Sequence, residues 1–438
     1  MHRPRSFDRN KSRSLKNPDA PVARIYRRNE PLRGPAAPRL AREHCPIKTK
    51  CGACLYVNQD YKTGLSDKYQ RGVKLLTDAG GVGLTTRVMN AVAAPRPLGY
   101  RSLFKLAVRP AAAGAPDGSR FALGLFAPGS HDIVPMNDCP LHVGHLQRLI
   151  PDLTAELDAS PLTPYDEKTA TGQIRYVAAR AAHLTGEMMV TFVVTEPLKN
   201  ELRRVVESLR RRGHKINAAA MNLNVEAGNA IFGSETSHVA GSDKLRERVV
   251  DLDFEVSPTA FFQVNPWQAI NLYRRVEQVA GPAGPSEVAW DLYCGAGQIS
   301  LVLARLGYKT FGIEENPAAI ADANANAKKN GLEKQATFVA ARVEDAEPLL
   351  PAWAQTPSLI VANPSRRGLA DSARQHLIWL GNQAKGRGMR LIYVSCAADT
   401  LGRDLKELAD GGFTVRQVEA FDMFPQTDHM EWVAVLTR

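Results

Sequence analysis

Val288-Ala-Trp-Asp-Leu-Tyr-Cys-Gly-Ala-Gly-Gln-Ile-Ser-Leu-Val302 carries a buried-strand pattern in its first half and a helix start in its second. Between them runs an Asp-x-x-x-Gly-x-Gly turn, from Asp291 to Gly297. Glycine suits such a turn because a Cβ would block both the tight backbone angles and the close approach of a bound nucleoside. The unpaired N–H groups of the helix start then face whatever sits above the turn. A second apolar run, Lys309-Thr-Phe-Gly-Ile-Glu314, ends in an acid 17 residues after Gly297. A doubly wound fold places the carboxylate that accepts from ribose hydroxyls about 20 residues on. The spacing therefore predicts a nucleoside site.

Outward from this turn the chain alternates strand and helix. Strands are expected to Trp290, to Ile313, at Ala336–Ala340, at Leu359–Ala362 and at Arg390–Val394, with helices between them and a final β segment to Val435. Such alternation implies a mainly parallel sheet covered by helices, with ligands at the strand C-termini. Upstream the texture is different. Short strands at 105–109, 121–126, 133–134, 174–178, 187–194 and 220–225 are separated by Gly, Pro and Asp clusters and by helices near 146–157 and 198–212. The expected organisation is a basic disordered arm at 1–44, an α+β region at 45–250 and a Rossmann-like α/β domain at 251–438.

Charge and cysteine usage narrow the function. The chain of 438 residues carries a net charge of +11 and is 44% hydrophobic, and it holds no apolar run of the length a membrane span needs. No secretory apolar region follows the first residues, so the expected location is the cytoplasm. Residues 1–44 contain 12 Lys/Arg against four acids, a composition suited to phosphate contact. Tyr100-Arg101, Lys105 and Arg175-Tyr176, where exposed, would add stacking and charge toward RNA. Six cysteines in a chain this long do not make a disulfide scaffold. Cys45, Cys51 and Cys54 stand in C-x5-C-x2-C spacing, and Cys139 follows much later. Four thiolates suit a tetrahedral zinc or a cubane iron–sulfur cluster, and spacing hardly separates the two.

Polar groups at four strand ends are expected to converge: Gly295-Ala-Gly297, Glu314, Asn363-Pro-Ser-Arg-Arg-Gly368 and Ser395-Cys396. Cys396, at the ligand edge, and Glu431, in His429-Met-Glu431, would form a nucleophile and base able to attack an activated double bond.

Phe262-Gln263-Val-Asn265-Pro, Asp291-Leu-Tyr-Cys-Gly-Ala-Gly297, Gly312-Ile-Glu314, Asn363-Pro-Ser-Arg-Arg-Gly368, Ser395-Cys396 and His429-Met-Glu431 together resemble the motifs of S-adenosylmethionine-dependent RNA uracil-C5 methyltransferases. Phe421-Asp-Met-Phe-Pro425 and the four upstream cysteines look most like the branch that modifies 23S rRNA, called RlmC or RumB. That branch lacks a leading RNA-binding β-barrel, and none is legible here. The resemblance covers roughly 45–438. It implies a C-terminal Rossmann-like methyltransferase domain and an N-terminal α+β domain carrying a [4Fe-4S] cluster on Cys45, Cys51, Cys54 and Cys139. Gln263, Tyr293, Glu314 and Asn363 would contact S-adenosylmethionine, Cys396 would be the nucleophile and Glu431 the base. The implied partner is RNA, most of all 23S rRNA; a monomer away from membranes is expected.

Two positions depart from the family pattern. Ser365 stands where a second proline is usual, and Ala397 where asparagine usually follows the nucleophile. The competing readings are a transfer RNA uracil-C5 methyltransferase and a noncatalytic iron–sulfur RNA-binding protein that keeps the fold. Methylation of an exocyclic base nitrogen fits less well, because no aromatic follows Asn363-Pro-Ser and that chemistry has no use for Cys396.

Overall fold

Period-two and continuous apolar runs become two large sheets and one hairpin. The computed structural model describes residues 45–438 apart from 84, 113–117, 227 and 385–386, so the expected basic arm at 1–44 lies outside the described residues. The strands are β1 Arg87–Val88, β2 Leu103–Pro110, β3 Phe121–Phe126, β4 Ile133–Pro135, β5 Ile174–Ala181, β6 Met188–Val194, β7 Ile216–Leu223 and β8 Glu235–Gly241. They continue with β9 Leu245–Val249, β10 Leu252–Val256, β11 Val288–Leu292, β12 Lys309–Glu314, β13 Ala336–Ala340 and β14 Leu359–Ala362. The last three are β15 Arg390–Ser395, β16 Thr414–Phe421 and β17 Glu431–Thr437.

The larger sheet has the order β1-β16-β17-β15-β14-β11-β12-β13. Its β13, β12, β11, β14 and β15 are parallel, as βα alternation requires, and β17 is inserted antiparallel between β15 and β16. Helices Tyr61–Asp78, Asp371–Gln383 and Ala398–Asp410 pack on one face, and Pro266–Ala280, Gln298–Arg305 and Pro317–Lys329 on the other. The smaller sheet, β4-β3-β2-β5-β6-β7-β8, buries one face under helices Gly144–Asp158 and Lys199–Arg211. This is the mixed α/β architecture expected of the C-terminal half, joined to an α+β half.

Two segments that chain order groups with the 45–250 region pack on the larger sheet instead. Helix Tyr61–Asp78 lies against Ala398–Asp410 and Trp432, and β1 adds a parallel edge strand to β16. Gly72 makes the approach possible, since a Cβ there would sit 2.1 Å from Trp432 Cζ2. The hairpin β9–β10 and helix Ala398–Asp410 were not legible in the sequence. The hairpin's alternation is interrupted by charge, and the helix lies immediately behind Cys396, where attention to the strand end hid its Leu401, Leu405 and Leu408 stripe.

A polar network ties Tyr61–Asp78 to the loop ahead of β17. Lys68, 3% exposed, is ion-paired with the fully buried Asp422, which also accepts from Tyr61 Oη at 2.7 Å. Lys68 Nζ further donates to the carbonyls of Phe424 (3.1 Å), Thr427 (3.3 Å) and His429 (3.1 Å). Every proton of the ammonium is used, which offsets the burial that lowers its pKa. Replacing Lys68 by Met leaves Asp422 and three carbonyls without their partner. Chemical denaturation is expected to show a loss of about 3–5 kcal/mol, and a loss within 1 kcal/mol of zero would contradict the network's role.

Candidate active site

β11 ends at the predicted turn. Gly295 and Gly297 have φ of 54° and 84°, and Gly297 starts helix Gln298–Arg305 without any side-chain cap, leaving its first N–H groups open. Tyr293 also takes a left-handed φ of 63°, a strained conformation for a bulky residue. Asp291 is fully buried; one carboxylate oxygen accepts from Ser300 Oγ at 2.5 Å, and the other has no hydrogen-bond partner. Burial, and then the nearby Glu314, push its pKa up to about 7. Glu314, at the end of β12, accepts from Gly295 N at 3.2 Å and from Asn316 N at 3.0 Å.

Of the expected cofactor residues, Tyr293, Glu314 and Asn363 lie at this turn or are hydrogen-bonded beside it. Asn363 follows β14 and its N–H donates to Leu292 O at 3.2 Å, fixing it beside the end of β11. Tyr293 is partly buried, with its phenol pushed up to about 12 by burial first. Gln263 is 6% exposed in the loop before helix Pro266–Ala280. That loop is pinned by Arg180, which donates to Phe262 O at 3.3 Å and Ala260 O at 3.1 Å, and by Ser102 Oγ to Val264 O at 3.0 Å. Asn265 caps the helix and donates to Met423 O at 3.0 Å. Glycines with positive φ, an open helix start and a carboxylate oxygen without a partner are a polar cradle fit for a nucleoside.

Across the sheet, β15 and β17 are antiparallel with Ser395 opposite Trp432. The next residue of β15 is Cys396 and the preceding residue of β17 is Glu431, so the register makes them neighbours. Their mutual influence is electrostatic as well. Burial raises the Cys396 thiol and the Glu431 charge raises it further, whereas the Arg366 charge lowers it. Glu431, 5% exposed, is pushed up to about 8 by burial, again opposed by Arg366. A carboxylate with a pKa near the working pH suits a base that must take and release a proton.

Arg366 was quoted in the 363–368 motif but given no role by sequence reasoning. The tertiary structure brings its guanidinium toward Cys396, Glu431 and His429, all of whose protonation it biases. Its loop is anchored from helix Ala398–Asp410. Thr400 Oγ1 donates to Arg366 O at 3.1 Å, Arg403 to Arg367 O at 3.0 Å, and the buried Asp404 accepts from Leu369 N at 2.8 Å and Tyr393 Oη at 2.6 Å. This clamp supplies rigidity at Ser365, where a proline is absent. Ala397 is the N-cap of the same helix and offers no capping side chain.

The four upstream cysteines come together. Cys54 is pushed up to about 12, by burial first and then by Cys139, Cys51 and Cys45. Among the described residues, no group of three or more His, Cys, Asp or Glu side chains is arranged to hold a metal ion. Cys294 stays apart, buried behind the turn. The expectation of RNA contacts at Tyr100 and Arg175-Tyr176 is corrected by burial. Tyr100 is 0% exposed and donates to Pro425 O, while Arg175, 4% exposed, donates to the carbonyls of Asn224 and Glu226. Lys105 is exposed and lies over Phe232.

The fold and this site define a nucleoside-binding methyltransferase domain. The Methyltransferase domain family model matches residues 285–363, and the tRNA (Uracil-5-)-methyltransferase model matches 356–438. An uncharacterized RNA methyltransferase of Gloeobacter violaceus is 32% identical over 403 residues, covering 92% of this chain and 84% of its own. One from Bacillus cereus is 31% identical, covering 90% and 82%. The crystal structure of Pyrococcus abyssi tRNA (uracil-54, C5)-methyltransferase in complex with S-adenosyl-L-homocysteine superposes with a TM-score of 0.68 at 26% identity, covering 86% of this chain and 84% of that one. The chain belongs to the family of S-adenosylmethionine-dependent RNA uracil-C5 methyltransferases. No helix among the described residues is long and apolar enough to cross a membrane.

A nucleophile at Cys396 and a base at Glu431 would each have to lose a proton, and both groups are held above their ordinary pKa. The apparent kcat/KM is therefore expected to rise with pH through the neutral range and to bend near the Glu431 value of about 8. Arg366→Ala removes the charge that favours both anions, so the rising limb moves to higher pH. A displacement of one pH unit lowers the rate at pH 7 by about tenfold. An unchanged profile with only a higher KM would show that Arg366 does nothing but bind RNA.

Proposed function

We propose that the protein transfers a methyl group from S-adenosylmethionine to C5 of a specific uridine in 23S rRNA through a covalent Cys396–C6 adduct. The observation that carries this reading is the register of β15 on β17, which brings Cys396 close enough to Glu431 for the two to interact electrostatically. Uracil C5 is too weak a nucleophile to take a sulfonium methyl unaided. Addition of the Cys396 thiolate to C6 pushes the C5=C6 pair onto the O4 side as an enolate, which makes C5 nucleophilic. Bound S-adenosylmethionine supplies the electrophilic methyl. Glu431 then takes the C5 proton, the double bond re-forms and the thiolate leaves. Arg366 favours the thiolate and carboxylate forms, and the target base must leave its stack for both faces to be reached. Gln263, Tyr293, Glu314 and Asn363 are the proposed cofactor contacts.

Cys45, Cys51, Cys54 and Cys139 are the proposed ligands of a [4Fe-4S] cluster. Support comes from the donor chemistry: four thiols close enough to raise Cys54 electrostatically, a repulsion that bound iron would convert to attraction. Cys45 and Cys139 lie on segments far apart in the chain, so the cluster would act as a staple and needs no part in methyl transfer.

The second reading is a transfer RNA substrate, favoured by the relative of known structure, a tRNA (uracil-54, C5)-methyltransferase. Unmodified 23S rRNA and unmodified transfer RNA, each incubated with labelled S-adenosylmethionine and digested to nucleosides, separate the two. Wild type is expected to place label in 5-methyluridine of 23S rRNA, and Cys396→Ala to place none. Label in transfer RNA alone would overturn the substrate, and an active Cys396→Ala would overturn the mechanism. Anaerobically purified protein is expected to contain iron and sulfide. Their removal should lower Tm by roughly 5 °C or more; an unchanged Tm would refute the staple.

A further inference from the structure

A cavity of about 550 Å³ opens where the two halves of the protein meet, lined by none of the residues placed in methyl transfer. Its walls come from four separate elements. Arg96 stands on the connection between β1 and β2, His145 and Arg148 on helix Gly144–Asp158, His183 after β5, and Trp267 on helix Pro266–Ala280. The volume lies within the range of about 300–1,000 Å³ typical of small-ligand sites.

Its charge is unbalanced. The Arg96 guanidinium lies over the Trp267 ring, 4.0 Å from the centroid, and its Nε is buried without a hydrogen-bond partner. Among the described residues no carboxylate forms an ion pair with Arg96 or with Arg148, and Arg148 meets His145 Nδ1 at 3.3 Å. Glu247, the partner of the lining residue His183, is committed: it holds His183 Nδ1 at 2.6 Å and accepts from the His183 N–H at 3.1 Å. Two permanent cations, one of them half-buried, thus face a polar space with no anion of the protein's own. Buried charge is retained where it is paired, so the space is suited to an anion.

The position gives that anion a purpose. Trp267 follows Gln263 by four residues on the pinned loop of the cofactor side. Gly99, also in the wall, donates to Pro140 O at 2.9 Å, next to Cys139. A ligand held here would touch the segment of the cysteines and the helix that follows the cofactor loop at once.

We propose that this cavity binds a phosphodiester of the substrate RNA outside the target uridine, with Arg96 and Arg148 on its oxygens and the neighbouring nucleotide filling the space beside Trp267. The proposal rests on the RNA reading above. Phosphate contacts fix register without reading sequence, which is the task left over once the target base has entered the active site.

The test uses the full-length protein with Arg96→Gln, Arg148→Gln and Arg148→Lys. Affinity for unmodified 23S rRNA and for transfer RNA is measured over a salt series, alongside steady-state methylation. Each Gln variant is expected to raise the KM for RNA by about tenfold and to reduce the slope of log affinity on log salt by about 0.7–0.9. The kcat at saturating RNA and the affinity for S-adenosylmethionine should stay as in wild type, and Arg148→Lys should keep the wild-type slope. Arg148 is exposed, so its variants leave the fold intact and keep the test decisive should Arg96→Gln be unstable. Unchanged slopes in both Gln variants would overturn the proposal. Competition by inorganic phosphate at the concentration of RNA phosphodiesters would also overturn it, in favour of a free-anion site. Wild-type protein that binds neither RNA would overturn the function itself, a failure distinguishable from that of the cavity alone.

Discussion

The antiparallel insertion of β17 between β15 and β16 is the constraint on which the juxtaposition of Cys396 and Glu431 depends. A wholly parallel sheet would carry every chain end of its strands to one edge, with only loop residues available as partners for Cys396. Reversing one strand brings the start of β17 to that edge, so Glu431 arrives beside the thiol on a rigid element rather than on a loop. The approach to β17 is then fixed from the other direction by Lys68, whose ammonium holds three carbonyls of the preceding loop and the buried Asp422. A helix early in the chain thereby stabilises the position of a group near its end.

The site combines two opposed electrostatic influences. Removing Cys396 and Glu431 from water favours their neutral forms, and each anion disfavours the other. Arg366 works against both effects from an exposed loop. The loop owes its position to Asp404, a buried acid whose two oxygens are shared among Tyr393, Leu369 N, Arg374 and Arg403.

The smaller sheet carries neither Cys396 nor Glu431, which lie at the edge of the larger one. Arg175, expected at the surface, and Arg109 are buried among Tyr165, Tyr176 and Phe126, with backbone carbonyls accepting their protons. The basic character available to a partner lies instead where the sheets adjoin, around Arg96 and Arg148. Cys45, Cys51 and Cys139 lie near enough to Cys54 to raise its thiol electrostatically.

By itself the sequence determined the local elements and the cofactor turn. The Asp291–Gly297 pattern, the acid at 314 and the βα alternation are signals within about 20 residues, set by backbone stereochemistry and by which faces must be buried. The motifs marked Cys396 and Glu431 as candidates for a nucleophile and a base. Their adjacency was not legible, because it follows from strand register between β15 and β17, a pairing of segments that no local pattern encodes. The same holds for Lys68, Arg366 and Asp404, whose roles exist only through partners tens or hundreds of residues away. It holds in the opposite sense for Tyr100 and Arg175, whose side chains look like surface groups until packing buries them. Local chemistry is written in the chain; which groups share a low-dielectric space is decided by how the two sheets and their helices close on one another.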